Sequence, residues 1–393
     1  MKICKLIRHH SFTDVRVFEK EAKSLKKMGF DVTIVAGKRE GKLFTIGKKP
    51  VFQKEEFYYD GIHFVTYDAH YPLGQEKKVM IRKMIEELRN GAQSYFIDGL
   101  AQKALAIQAD IYHAHEWETL YDAVQIKRIL RNEQKRNIKV IFDAHELESD
   151  NLLMKELMKE VDYIITVSNG LKSQYAQRYP KVPITVIYNS PHFEKQIPPK
   201  DFSSKLLTIA YEGSLTKDKG DPEKIAEIIN HCKTKINFKF KIIGGMPKLP
   251  EYQGVMQKMK SNPYIQWVDW VDYHDLPKQL SNVHIGYINF RLNTPNREYA
   301  LPNKFFSYLN SGIPVVVNAA HEMEEFIKRH KCGIVIKKGE ATAEDYATQF
   351  VRLYNNRLLL KKMSENARSV IRSTYGWEMM ESRLRSIYSV LSK

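Results

Sequence analysis

At 393 residues, with 43% hydrophobic and 27% charged residues, the chain is too long for a single core and too apolar for disorder, so two globular domains are expected. Lys and Arg outnumber Asp and Glu by 62 to 46, a net charge of +16 that favours anionic partners: nucleotide phosphates, nucleic acid or an acidic membrane leaflet. Three scattered cysteines (Cys4, Cys232, Cys332) without a C-x-x-C exclude a disulfide framework and a cysteine zinc site, and point to a reducing cytoplasm.

The first ten residues, interrupted by Lys2, Lys5 and Arg8, lack the apolar stretch of a signal peptide. No uncharged segment is long enough to span a bilayer. Short β-type runs are predicted at Ile3–Ile7, Val32–Ala36, Ile62–Tyr67, Ile111–His115, Val140–Ala144, Tyr163–Val167 and Ile184–Tyr188. A helix over Asp14–Met28, with Phe18, Ala22 and Leu25 on one face, separates the first two and stops at Gly29. Lys77–Arg89 is basic and amphipathic; it either lies on an anionic membrane or packs its Met/Ile stripe on the core, and packing is the expectation. The prolines, serines and charges of Ser190–Ser204 read as a linker. Alternation then restarts with Leu207–Tyr211, Phe238–Ile243, Ile265–Trp270, Val283–Ile288, Ile313–Val317 and Gly333–Ile336, and Ala341–Lys393 is mostly helical. Strands alternating with helices predict two parallel-sheet α/β domains of the Rossmann-like kind, 1–190 and 205–375. Ligands of such sheets bind beyond the carboxyl ends of the strands.

Chemistry-bearing residues cluster at those ends. In His113-Ala-His115, residues i and i+2 share one strand face, and Asp143-Ala-His145-Glu146 repeats the arrangement on a later strand. Three readings are open: a zinc cluster, scattered structural histidines, or a hydrogen-bonding pocket for a polyhydroxylated substrate, which we favour. Glu212-Gly213 ends the first strand of the second half, and Lys217 and Lys219 follow in a loop that could face phosphate oxygens. Gly244-Gly245 makes a second glycine turn at the same edge. In Ala300-Leu-Pro-Asn-Lys-Phe-Phe-Ser-Tyr-Leu-Asn-Ser-Gly312, Pro302 is expected in the first helical turn and Gly312 at its stop. Lys304 then sits where the dipole disfavours a cation, which makes sense if an anion shares the site. The G-x-G-x-x-G fingerprint, the phosphate loop, the nucleophile elbow and Asp-x-Asp are all absent from the sequence.

These residues together resemble the family-four (group 1) glycosyltransferases of GT-B architecture. The resemblance runs through Asp14-Val-Arg16 with Glu21-Ala, His113-Ala-His115, Asp143-Ala-His145-Glu146, Glu212-Gly213-Ser with Lys219-Gly220, and Tyr375-Gly-Trp377-Glu378…Tyr388. It implies two Rossmann-like domains facing across a cleft, with a C-terminal helix (about 376–393) crossing back onto the first. It further implies retaining, metal-independent transfer from a UDP- or GDP-linked sugar to a saccharide or lipid-linked glycan acceptor, without a cofactor. The protein would be cytoplasmic, with the anionic inner face of the membrane as a candidate docking surface. The implied acceptor-side residues are Asp14, Arg16, His113, His145 and Glu146, with His115 nearest the reacting sugar. The implied donor-side residues are Gly213, Lys217, Lys219, Gly244, Leu301, Pro302, Asn303, Lys304 and Ser307; Trp267 and Trp270, at the end of a second-half strand, either lie near the base or pack in the core. The family's two acidic positions fall here on Tyr299 and Ser307; Glu298, one residue away, is the substitute expected for catalysis. Its loop arginine falls on Ser214, with Lys217 to compensate. Two rivals remain: a catalytically weak protein of this fold that binds a nucleotide sugar or a partner enzyme, and a basic nucleic-acid-binding α/β protein. The latter is disfavoured because no nucleic-acid motif accompanies the charge.

Overall fold

A computed structural model describes residues 1–51, 54–198 and 200–392; residue 199 of the expected linker and residue 393 of the expected terminal helix lie outside it. The chain divides into two units, Met1–Ile187 with Glu381–Lys393, and Tyr188–Met380. The expected linker therefore belongs to the second unit.

The first unit is built on an eight-stranded sheet: β1 (Lys2–Ile7), β2 (Asp31–Lys38), β3 (Glu56–Tyr59), β4 (Ile62–Asp68), β5 (Ile111–Ala114), β6 (Lys139–Ala144), β7 (Tyr163–Thr166) and β8 (Ile184–Val186). Their spatial order is β8-β7-β6-β5-β1-β2-β4-β3. All neighbours are parallel except the edge strand β3, which pairs antiparallel with β4. β3 was not expected, because Glu-Phe-Tyr-Tyr shows no alternation and its residues are largely exposed. The predicted helix after β1 begins as π-helical turns over Val15–Ala22 and becomes α-helical over Lys23–Lys27. The basic segment forms the helix Gly74–Asn90, whose Met80, Met84 and Leu88 are buried in the core. That stripe is spent on packing, so the helix has no apolar face left for a membrane.

The second unit carries β9 (Leu207–Ser214), β10 (Phe238–Gly245), β11 (Ile265–Val268), β12 (Ile285–Ile288), β13 (Val315–Asn318) and β14 (Gly333–Ile336), all parallel in the order β11-β10-β9-β12-β13-β14. Its core is aliphatic and tyrosine-rich: Tyr211, Tyr287 and Tyr346 are fully buried, and each hydroxyl reaches a backbone carbonyl. The chain returns to the first unit through the helix Trp377–Leu391, placing Tyr388 against His113. No helix among the described residues is long and apolar enough to cross a membrane.

Candidate active site

Each unit has its own cluster at the carboxyl ends of its strands. In the first, sheet register does the placing. Lys5 of β1 pairs with His113 of β5, and their side chains meet with Nζ 3.0 Å from Nδ1. Lys5 also donates to Glu21 at 2.6 Å, and the Tyr388 hydroxyl lies 2.8 Å from the same His113 nitrogen. Arg16 makes a bidentate pair with Asp143, 2.8 Å on each arm, and donates to the Ile187 carbonyl. The His113 and His115 rings stack at 4.5 Å. His115 Nδ1 lies 3.1 Å from His145 Nε2, which in turn is 3.2 Å from Asp143.

Burial, reinforced by Lys5, holds His113 and His115 far below the usual imidazole range, so both are neutral near pH 7. The network thus balances two cations, Lys5 and Arg16, against two carboxylates, Glu21 and Asp143. Among the described residues, Glu21, His113, His115 and Asp143 bring ligand atoms within 4.8 Å of one another. Both oxygens of Asp143 are nevertheless held by Arg16, and Glu21 is held by Lys5, so the charge a metal would supply is already present. These donors fit an ion-pair network better than a metal centre, with Glu21 Oε1, His113 Nε2 and His115 Nε2 left without a hydrogen-bond partner among the described residues.

What reaches solvent is different. His113 and His115 side chains are 0% exposed, whereas those of His145 and His10 are 20% and 23% exposed. Arg16 and His113, expected to touch an acceptor, are buried and support the rim from beneath. Asp14 caps the following helix by accepting from the Arg16 and Val17 amides, and also binds His10 at 3.2 Å. Glu146 is exposed beside this rim. His10 was not singled out in the sequence: a histidine in the loop after β1 carries no pattern of its own, and its ring contact with His145, 4.8 Å between centroids, is tertiary. Burial alone would lower its pKa, yet Asp14 and then Glu116 raise it to about 9.

In the second unit, Gly213 and Gly244 are register partners with φ of +105° and +127°. A Cβ on Gly244 would fall 2.4 Å from the Gly213 carbonyl oxygen, so only glycine fits there. The helix Asn303–Asn310 starts one residue later than expected, with Pro302 as its flanking residue and no side chain capping it. The Phe305 amide donates to the Pro302 carbonyl, which leaves the amides of Asn303 and Lys304 to face an anion. Leu301 is buried and anchors the approach, Asn303 is exposed, and Lys304 lies with Nζ 3.9 Å from the Tyr211 ring centroid. Ser307 donates to the Asn303 carbonyl and reaches Glu212 at 3.5 Å.

Glu212 is the residue that sequence reasoning missed. Its Oε2 is buried without a hydrogen-bond partner, and it stands next to Ser307, the position where the family resemblance looks for an acid. Burial pushes the Glu212 carboxyl up and the Lys304 ammonium down, and each opposes the shift of the other. The Tyr211 hydroxyl, within reach of the Ser214 and Lys219 carbonyls, tightens the loop that leaves Lys217 and Lys219 exposed. Asp218 in that loop pairs with Arg297 at 3.0 Å. Glu298 is exposed at the end of the helix Pro295–Glu298, without an ion-pair partner among the described residues. Trp267 bonds Asp269, while the half-exposed Trp270 lies beside Gly245 at the edge of β10.

Residues 15–190 match Glycosyltransferase Family 4, and residues 221–348 match the Glucosyltransferase 3-like C-terminal domain. Sucrose-phosphate synthase from Thermosynechococcus elongatus superposes with a TM-score of 0.69 at 12% identity, covering 99% of this chain and 98% of that one. A glycosyltransferase from Rickettsia africae gives 0.68 at 15% identity, with 100% and 98% covered. Anabaena Alr3699/HepE in complex with UDP and glucose gives 0.66 at 12% identity, with 99% of each chain covered. A chitobiosyldiphosphodolichol beta-mannosyltransferase of Yarrowia lipolytica is 26% identical over 134 residues, 34% of this chain and only 27% of that relative's length. Fold and matches together define a glycosyltransferase of the GT-B fold. Family four itself is matched over residues 15–190, from the first helix to just beyond β8.

Proposed function

We propose that the protein transfers a sugar from a UDP- or GDP-linked donor to a saccharide or lipid-linked glycan acceptor, with retention and without a metal. The observation that carries this reading is the uncapped start of the helix Asn303–Asn310, with Lys304 and the close-packed Gly213/Gly244 pair at the same sheet edge. Backbone amides and a lysine there would hold the diphosphate and stabilise the charge that develops as it leaves. A phosphate beside Lys304 would also restore the ammonium that burial disfavours. Lys219 would add a second cation, and Trp270 an aromatic face for the base. Glu212 would hold a donor hydroxyl where Ser307 offers no carboxylate. In the first unit, His145, His10 and Glu146 would meet the acceptor, with His115 and Asp143 orienting His145 from below.

The UDP and glucose bound by Alr3699/HepE support a UDP-linked donor, and the mannosyl transfer named for the Yarrowia relative supports transfer of a hexose. The excess positive charge favours an acidic leaflet as the place where a lipid-linked acceptor is met. The test is donor turnover with UDP- and GDP-sugars, followed by proton NMR of the product anomer. We expect one donor class to be consumed, with retained configuration and undiminished rate in EDTA. Binding without turnover of any donor would favour the catalytically weak alternative, and an EDTA-sensitive rate would contradict metal independence.

A further inference from the structure

The second unit carries a cavity of about 510 Å³ away from the carboxyl ends of its strands, between the stretch after β8 and the helix Arg357–Val370. One wall is apolar, with Phe193 and Phe202. The other is cationic, with Lys200, Lys361, Arg368 and Arg372, against the single lining carboxylate Glu365.

The two deeper cations spend their hydrogen bonds on carbonyl oxygens. Lys200 donates to Leu280 and Ser281 at 2.6 and 2.8 Å. Arg368 donates to Asn310 and Glu194 while lying 4.3 Å from the Phe193 ring centroid. Carbonyl dipoles satisfy donors but leave the charge in place, and neither cation has a carboxylate within ion-pair distance among the described residues. They also burden each other: burial first, then Arg368 and Lys241, push Lys200 down to about 7, and Arg372 adds to the field on Arg368. Glu194, close to Arg368, offsets only part of this. Half-buried positive charge in excess, in a cavity large enough for a small organic molecule, is the electrostatic complement of an anion. The exposed Lys361 and Arg372 extend the same field to the mouth.

We propose that this cavity binds a phosphate ester, its phosphate held by Arg368, Lys200 and the rim cations and its organic group against Phe193 and Phe202. The cavity touches the C-terminal end of the helix Asn303–Asn310, opposite the end that carries Lys304, and does not depend on the catalytic reading. A soluble phosphomonoester and a lipid phosphate headgroup offer the same chemistry, and the experiment separates them.

Phenyl phosphate is titrated calorimetrically into the full chain, into Lys361→Glu/Arg372→Glu and into Lys219→Ala. The rim substitutions are exposed and leave the fold intact; they should weaken binding about tenfold or more, the worth of a lost charge-assisted contact. Lys219→Ala, in the loop after β9, should leave this binding unchanged, and inorganic phosphate should bind more weakly than phenyl phosphate. Flotation with phosphatidylcholine vesicles containing phosphatidic acid supplies the second arm. Retention lost in the rim variant assigns the site to a lipid headgroup, and binding of phenyl phosphate without retention assigns it to a soluble ester. The proposal is overturned if phenyl phosphate does not bind, or if it binds the rim variant as it binds the native chain.

Discussion

A lysine in the first turn of a helix opposes the dipole, and Lys304 is in addition enclosed by Tyr211, Gly213 and Glu212. Such a placement is costly to the free protein and sensible for one that binds an anion. The first unit uses the opposite device, a set of buried ion pairs. Asp143→Ala would leave the Arg16 guanidinium buried without its bidentate partner, and should cost about 3–5 kcal/mol in urea unfolding. The His10–Asp14 pair gives a pH signature. The pKa of His10 is raised from 6.5 in the unfolded chain to about 9 in the fold, so the pair stabilises fully below 6.5 and less as pH rises through 9. Asp14→Asn keeps the helix cap but removes the charge. The stability difference between native and variant protein should therefore be largest on the acid side of 6.5 and shrink toward 9. A difference independent of pH would show that the pair does not titrate this way.

At the scale of elements, the edge of β9 and β10 sets a tight geometric requirement. Gly244→Ala would force a left-handed φ and drive a Cβ into the Gly213 carbonyl, so we expect about 1–3 kcal/mol of destabilisation by thermal melting. The strands of both sheets were legible because their β-branched runs are bounded by glycine, proline and charge. The edge strand β3 was not, because an exposed aromatic-acidic run carries no period. Pro302 read as the first helical residue and is the flanking one, a shift that sequence signals do not resolve. The histidine and lysine motifs were visible as strand-end and helix-start residues. Which imidazole faces solvent was not, since that depends on Lys5 and Tyr388 drawing His113 inward. Glu212 was overlooked because its tie to Ser307 joins residues 95 apart in the chain.

For the molecule as a whole, the two units are linked by a chain that returns: the segment from Glu381 completes the first unit, burying Leu384, Ile387 and Tyr388. Removing residues 381–393 should cost the first unit roughly 5 kcal/mol, at about 1.5–3 kcal/mol per buried side chain. Hydrogen exchange should then show β1 and β5 losing protection while β9 and β10 keep theirs. The central claim is that the second unit holds a nucleotide diphosphate at Lys304. Thermal unfolding with a panel of nucleotides and nucleotide sugars, on the native chain and on Lys304→Ala, tests it most directly. A ligand at about a hundred times its Kd stabilises by about 2.7 kcal/mol, an easily visible shift. The account predicts such a shift with UDP or GDP compounds in the native chain and its loss in Lys304→Ala. An undiminished shift in Lys304→Ala, or none with any nucleotide, would contradict it.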